Sequence, residues 1–343
     1  MALEKSVLDG SIITILLKKH YDIAVHGCQR LALGSANCYR VSDGKRNYFL
    51  KEFQTSISED AVNREAELLK TLSKEHIPVS GYIQTNTGEW LFNFNNHIIC
   101  LQEYIEGLTC GYNNFPSRLL PSLAQMLGKI HTALKNYDLP VDMGKEWLES
   151  YSAKKLITQY DALIKSAQAQ DDADSGRIIE DLEYKKELAL RCNEYKKFYD
   201  GITYTSTHGD YQGCQTIYTE TDIKAVIDFS SAAKLPAVWE VMRSYVQSSH
   251  KGAKNAAFDI DGLCAYVKEY MKYATLTDKD IYAMPYVYLF QLARSKFGYS
   301  QYLNMKSEDS KALLEFGIWR TDMCRFVENN LENISQILTT TRV

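Results

Sequence analysis

The chain has 343 residues, 45% hydrophobic and 24% charged, so it can bury a core, and at roughly 150 residues per domain it suits two domains or one large two-lobed unit. A net charge of -4 without any Lys/Arg cluster excludes a nucleic-acid binder or a membrane-surface protein, and 6 prolines and 18 glycines exclude a collagen-like or low-complexity chain. No apolar run nears the ~20 residues that span a bilayer, the opening MALEKSVLDG carries acidic residues where a secretory signal needs basic ones, and the 8 cysteines show neither CxxC pairs nor zinc spacing, so a cytoplasmic protein with reduced thiols is expected.

Helical spacing opens the chain over Ser11–His20. From residue 28 to residue 104 strand signals dominate. QRLALG and NCYRV flank a Gly34-Ser35-Ala36 turn, and Ser42-Asp43-Gly44-Lys45 leads into YFLKEF. Asn86-Thr87-Gly88 and Asn95-Asn96 then separate GYIQT, EWLFNF and HIICLQEY. Turn residues between β-rich runs predict hairpins of an antiparallel sheet. One helix interrupts them over Asp60–Leu72, with Val62, Ala66, Leu69 and Leu72 at helical spacing. From about Glu106 the pattern turns helical, over Leu119–Leu134, Ala153–Ala169, Ile178–Phe198, Ile260–Tyr273, Ile281–Tyr302 and Glu308–Thr339. A single β-like island, residues 202–229, sits among these helices. The expected fold class is α+β and bilobal: a small antiparallel-sheet N-terminal lobe over residues 1–104 and a large, mainly helical C-terminal lobe over residues 105–343, joined through Gln102–Gly107.

The island holds the residues with the most chemical content: His208-Gly209-Asp210, then Gln215, then Ile227-Asp228-Phe229. Phosphoryl transfer needs little covalent help from a protein. It needs a carboxylate to orient and deprotonate an attacking hydroxyl, and oxygen ligands to hold magnesium against the phosphates. Kinase catalytic loops supply these as an Asp, an amide side chain five positions on, and an Asp-Phe hairpin. On that pattern Asp210 is the base, and Gln215 and Asp228 are the Mg2+ ligands.

A nucleotide grip in the N-terminal lobe is an independent requirement. The turn at Gly34 and Ser35 offers backbone N–H groups to phosphate oxygens. Lys51 ends the YFLK strand, where an inward amine is costly without phosphates and a carboxylate partner. Glu65 on the following helix is the candidate partner, with Glu67 second. Alternation puts Phe49 on the Lys51 face, where it either stacks on adenine or packs into the core. Ile217 and Ile227 are candidates for the apolar floor under the base. Backbone groups between Glu103 and Ile105 are candidates for its edge.

Together these residues resemble the aminoglycoside phosphotransferase and choline kinase-like family, whose fold is protein-kinase-like. The resemblance runs through most of the chain, in LALGSANCYRV, YFLKEF, NREAELLKTL, LQEYIEG, LGKIHTAL, HGDYQGCQTIY, AVIDFSSA and PAVWEVMRSY. It implies a cytoplasmic kinase that moves the terminal phosphate of ATP (or GTP) to a hydroxyl of an aminoglycoside, a choline-like or homoserine-like compound or a sugar alcohol, with no nucleic-acid or membrane partner. Asp210 matches the family's catalytic Asp, Asp228 its metal-binding Asp, Lys51 its phosphate-pairing Lys and Glu65 that lysine's partner. Trp239-Glu240 takes a position read as structural.

Two departures stand out: Gln215 replaces the usual Asn, and Tyr211-Gln212 replaces an apolar residue and His. Gln215 motivates the alternative reading, a kinase-fold binding or scaffolding protein with weak or no transfer activity. For the acceptor, Asp171-Asp172-Ala173-Asp174 reads as a solvated loop. The 24 tyrosines read as helix-packing residues with wet hydroxyls. Arg243 reads equally as an acidic-substrate binder or half of a structural ion pair.

Overall fold

The computed structural model describes residues 3–31, 36–139, 142–304 and 310–340. In chain order the elements begin with α1 (Gly10–Tyr21), β1 (Gly27–Leu31), β2 (Asn37–Ser42), β3 (Asn47–Glu52), α2 (Glu59–Lys74), β4 (Tyr82–Ile83), β5 (Phe92–Phe94) and β6 (His97–Glu103). The chain continues through α3 (Leu120–Ala133), α4 (Met143–Glu149), α5 (Ala153–Gln170), α6 (Ser175–Tyr195), β7 (Tyr204–Thr207), β8 (Thr216–Tyr218), β9 (Ile223–Val226) and β10 (Ala233–Pro236). It ends in α7 (Ala237–Ser248), α8 (His250–Asn255), α9 (Ile260–Met271), α10 (Asp278–Ala293), α11 (Tyr299–Asn304) and α12 (Ser310–Thr340). Packing divides them into two compact units, Met1–Thr109 with Gln215–Ala232, and Cys110–Cys214 with Ala233–Val343.

The first unit is built on an antiparallel sheet in the order β1-β2-β3-β6-β4, with β5 also paired to β6. Helix α1 starts where the Asp9 side chain accepts from the Ile12 N–H, and stops at Asp22, whose φ of 56° is left-handed. It buries Ile13, Leu16, Leu17 and Tyr21 against Tyr39, Val41, Leu50, Ile99 and Leu101 of the sheet. Because side chains alternate along a strand, Leu50 on that face sends Phe49 and Lys51 to the other. The register then sets Lys51 between Cys38 of β2 and Cys100 of β6. Helix α2, capped by Ser58, buries Val62, Ala66, Leu68, Leu69 and Leu72, and with them a single carboxylate, Glu65.

The second unit is helical around a two-stranded β7–β10 ladder. The island at 202–229 is therefore two structures: β7 pairs with β10 in this unit, while β8 and β9 form a hairpin in the first. The helix expected over Ile281–Tyr302 is interrupted between Arg294 and Gly298. Gly298 has φ +95°, and a Cβ there would lie 2.5 Å from the Leu313 carbonyl oxygen, so only glycine permits this bend against α12. Helix α7, which was not among the expected helices, is buried nearly all round, from Ala237 to Ser248.

The tyrosines depart from expectation. Many are buried, and their hydroxyls are bonded inside the protein instead of being wet: Tyr160 to the Ala293 carbonyl (2.5 Å), Tyr211 to Leu123 (2.9 Å), Tyr199 to Val287 (3.1 Å). A buried hydroxyl must find an acceptor or lose its hydration uncompensated.

Candidate active site

Lys51 is the centre of charge in the first unit. Its amine lies 5.3 Å from the centroid of the Phe53 ring. Burial opposes its charge, but Glu65 and Asp228 outweigh that and hold the ammonium well above its ordinary range. The flanking thiols do not compete as anions: burial pushes Cys38 up to about 11 and Cys100 up to about 12, against the pull of Lys51. Glu65 in turn accepts from the Tyr82 hydroxyl (2.9 Å) and from the backbone N–H of Phe229 (3.1 Å). One buried carboxylate thus connects α2, β4 and the Asp228-Phe229 turn. Glu67 is elsewhere, exposed and engaged with Lys70 (3.4 Å) and the Trp90 indole (2.9 Å).

The β8–β9 hairpin brings the other residues of this unit together. Thr216 pairs with Val226, and the Ile227 N–H donates to the Gln215 carbonyl (3.0 Å), so Gln215 and Asp228 adjoin at the hairpin's open end. Asp228 has φ 62° and ψ 65°, a left-handed conformation that an Asp tolerates better than most residues, and its carboxylate accepts from Ser230 (2.8 Å). Ile217 lies so close to Gly107 that a Cβ there would meet its Cγ2 at 2.4 Å. Phe49, half-buried, pairs with Arg40 and Gln102 on the Lys51 face. At the connector, the Glu103 N–H donates to Gly81 (2.9 Å) and its carbonyl accepts from Ser80 (2.6 Å), so Glu103 is held by its own unit on both backbone groups. Ile105 follows the end of β6 by two residues. Gly34 and Ser35 lie outside the described residues.

Asp210 belongs to the second unit, on a loop braced from several sides. Gly209 has φ 81°, which makes glycine the natural residue before it. Glu240, fully buried on α7, accepts from the N–H groups of His208 (3.1 Å) and Gly209 (2.5 Å) and from Nε2 of His131 (2.9 Å). Burial opposes the Glu240 charge, but His131, His208 and the Gly209 N–H together hold its carboxyl below the usual range. His208 acts as a brace, its Nδ1 accepting from the Asp210 N–H (3.2 Å). Arg243 donates to the Asp210 carboxylate and caps the Trp239 ring at 5.6 Å. It is therefore half of an ion pair, and orients the carboxylate it holds.

The model of a phosphotransferase enzyme family matches residues 27–280, a span that contains every one of these side chains. The chain belongs to that family. None of the curated protein sequences matches it. Solved structures that share its fold include an amicoumacin kinase in complex with AMP-PNP and Ca2+ (15% identity, TM-score 0.63, covering 95% of this chain and 94% of that one). A spectinomycin phosphotransferase in complex with ADP is similar at 16% identity and TM-score 0.60, over 98% of this chain and 100% of that one. The choline kinase LicA from Streptococcus pneumoniae is similar at 15% identity and TM-score 0.53, over 93% and 98%. At the level of the family the chain is a small-molecule phosphotransferase, with the expected α+β kinase-like fold.

In this phosphotransferase no group of three or more His, Cys, Asp or Glu side chains gathers to hold a metal among the described residues. Mg2+ in general needs only one or two protein oxygens and completes its shell with phosphates and water. Asp228 and the Gln215 amide are such hard-oxygen donors. Sequence reasoning missed His131 and Tyr82, and it gave Glu240 only a structural label. No helix among the described residues is long and apolar enough to cross a membrane.

Proposed function

We propose that this phosphotransferase moves the terminal phosphate of ATP to a hydroxyl of a small molecule. The observation that carries the reading is the Lys51 amine held charged by Glu65 and Asp228, an arrangement that keeps a cation ready for an anionic ligand. In this reading Lys51 pairs with phosphate oxygens, and the backbone N–H groups of Gly34 and Ser35 are assigned to them as well. Phe49, Ile217 and Ile227 sandwich the base, while Ile105, and Glu103 through a spare carbonyl lone pair, meet its edge. Residues 1–104 then carry most of the nucleotide grip and residues 105–343 the catalytic and acceptor-binding side chains.

Bound Mg2+ would supply charge neutralisation between the phosphates, with Asp228 and Gln215 as its protein ligands. Gln215 keeps the amide oxygen of the more usual Asn one methylene further out, so ligation is preserved. Asp210 takes the proton of the acceptor hydroxyl as that oxygen bonds to the terminal phosphorus and the bond to the bridging oxygen breaks, releasing ADP. Arg243 fixes the plane of the Asp210 carboxylate, and Glu240 the loop that carries it. The AMP-PNP and ADP bound by the structural neighbours support a nucleotide donor, and the Ca2+ of one supports a divalent ion. A cytoplasmic location suits an enzyme that draws on ATP.

A screen of alcohol-bearing compounds with Mg2+ and γ-labelled ATP tests this directly. Label should appear in a stable phosphate ester of at least one alcohol, and chelating the metal should stop it. Label released only as inorganic phosphate, at a rate chelation leaves unchanged, would contradict it.

A further inference from the structure

The helical unit satisfies its buried hydroxyls almost throughout, which makes the exceptions informative. Tyr288 on α10 is 1% exposed and its hydroxyl bonds to nothing among the described residues. Nε of Arg320, on α12, is also buried without an acceptor, and among the described residues no acidic side chain pairs with that guanidinium. Helix α10 packs on both α7 and α12, so Tyr288 stands within the fields of Arg243 and Arg320 alike. Burial, and the like charge of Arg243, hold the Arg320 guanidinium below its ordinary value. On α7, Trp239 is four residues before Arg243 and also keeps an unpartnered indole N–H. Tyr288 and Arg320, on two packed helices, thus both carry polar atoms that lack a partner among the described residues.

An unpaired, partly desolvated guanidinium beside a second one is a cost in the free protein. Arg243 is neutralised by Asp210, which leaves Arg320 as the uncompensated charge. Its fork matches carboxylate or phosphate oxygens. A cationic acceptor finds no welcome in this place. The aromatic face of Phe316 is already covered by Arg320 at 5.6 Å, and Asp172 and Asp174 are tied to Tyr302 and Lys311 instead of lining an open acidic pocket. Tyr112, packed at 6.4 Å on Phe316 and within the field of Asp210 and Arg243, joins this cluster to the proposed base.

We propose that Arg320 and Tyr288 form an acceptor subsite for an anionic group, so that the alcohol phosphorylated carries a carboxylate or a phosphate. This rests on the phosphotransferase reading for its chemistry, but the binding itself is testable without nucleotide. Thermal unfolding of the whole chain in sodium phosphate, against sodium chloride at equal ionic strength, reads the subsite alone. Phosphate should raise the wild-type Tm by about 2 °C or more beyond chloride, and that increment should largely vanish in Arg320→Met. Arg320→Met should also be at least as stable as wild type in chloride, because an uncompensated charge is removed. Tyr288→Phe, which deletes only an unbonded hydroxyl, should keep its fold and lose part of the phosphate increment. Equal phosphate increments in all three proteins would overturn the proposal.

Transfer assays with glycerol, glycerate, glycerol 3-phosphate and choline then separate the sources. A kcat/KM highest for glycerate or for glycerol 3-phosphate identifies the anion as carboxylate or phosphate, and Arg320→Met should raise KM for it about 10- to 100-fold. A preference for choline or glycerol would overturn the assignment. If no label leaves ATP for any alcohol while the phosphate increment persists, the phosphotransferase reading fails and the anion subsite stands.

Discussion

Asp210→Asn should lower the rate of phosphate transfer by about 10³-fold or more while leaving ATP affinity within roughly 2-fold. The amide keeps an oxygen for Arg243 and nearly the same shape, but it cannot take the acceptor's proton. Because the base meets the acceptor and not ATP, the loss falls on kcat. Asp210→Ala should lose as much activity and stability besides. Arg243, whose side chain is 13% exposed, would be left with a buried charge and no carboxylate, at a cost of about 1–3 kcal/mol. Transfer from γ-labelled ATP, nucleotide titration and thermal unfolding of both variants check the three parts. Near-wild-type turnover by Asp210→Asn would remove Asp210 from the role of base.

Asp228→Ala should instead weaken Mg-ATP binding by about 10-fold or more and abolish transfer with it. The metal loses its principal protein oxygen, and Lys51 loses one of the two carboxylates that hold its charge. Alanine must also adopt φ 62°, a conformation that costs a residue with a Cβ about 1–2 kcal/mol. Asp228→Asn separates these effects, since Asn tolerates that backbone. It should unfold near the wild-type temperature yet require a higher Mg2+ concentration for half-maximal binding. Unchanged Mg2+ dependence in both variants would exclude Asp228 as a ligand.

Much of the site was legible because its signals are local. Alternation in YFLK sends Lys51 away from the face that Leu50 buries, and Asp210, Gln215 and Asp228 stand out by their spacing. The opening helix and the helix around Glu65 followed from helical spacing. Long-range facts were harder to read. Nothing in the residues of α7 names their distant partners, so the link from Glu240 to His131, 109 positions away, stays hidden. The β-like island reads as one stretch, since nothing in a strand's own residues names its partner; β10 and the long return of β8–β9 decide that. Arg320 gives no sequence signal at all, because its significance is that its Nε is buried without a partner among the described residues.

Whether Lys51 is a phosphate grip is measured most directly by titrating the wild-type protein and Lys51→Met with Mg-ATP and with adenosine. An amine kept charged for phosphate predicts about 10- to 100-fold weaker ATP binding in the variant, with adenosine affinity within roughly 2-fold of wild type. ATP and adenosine weakened equally, or neither weakened, would contradict it.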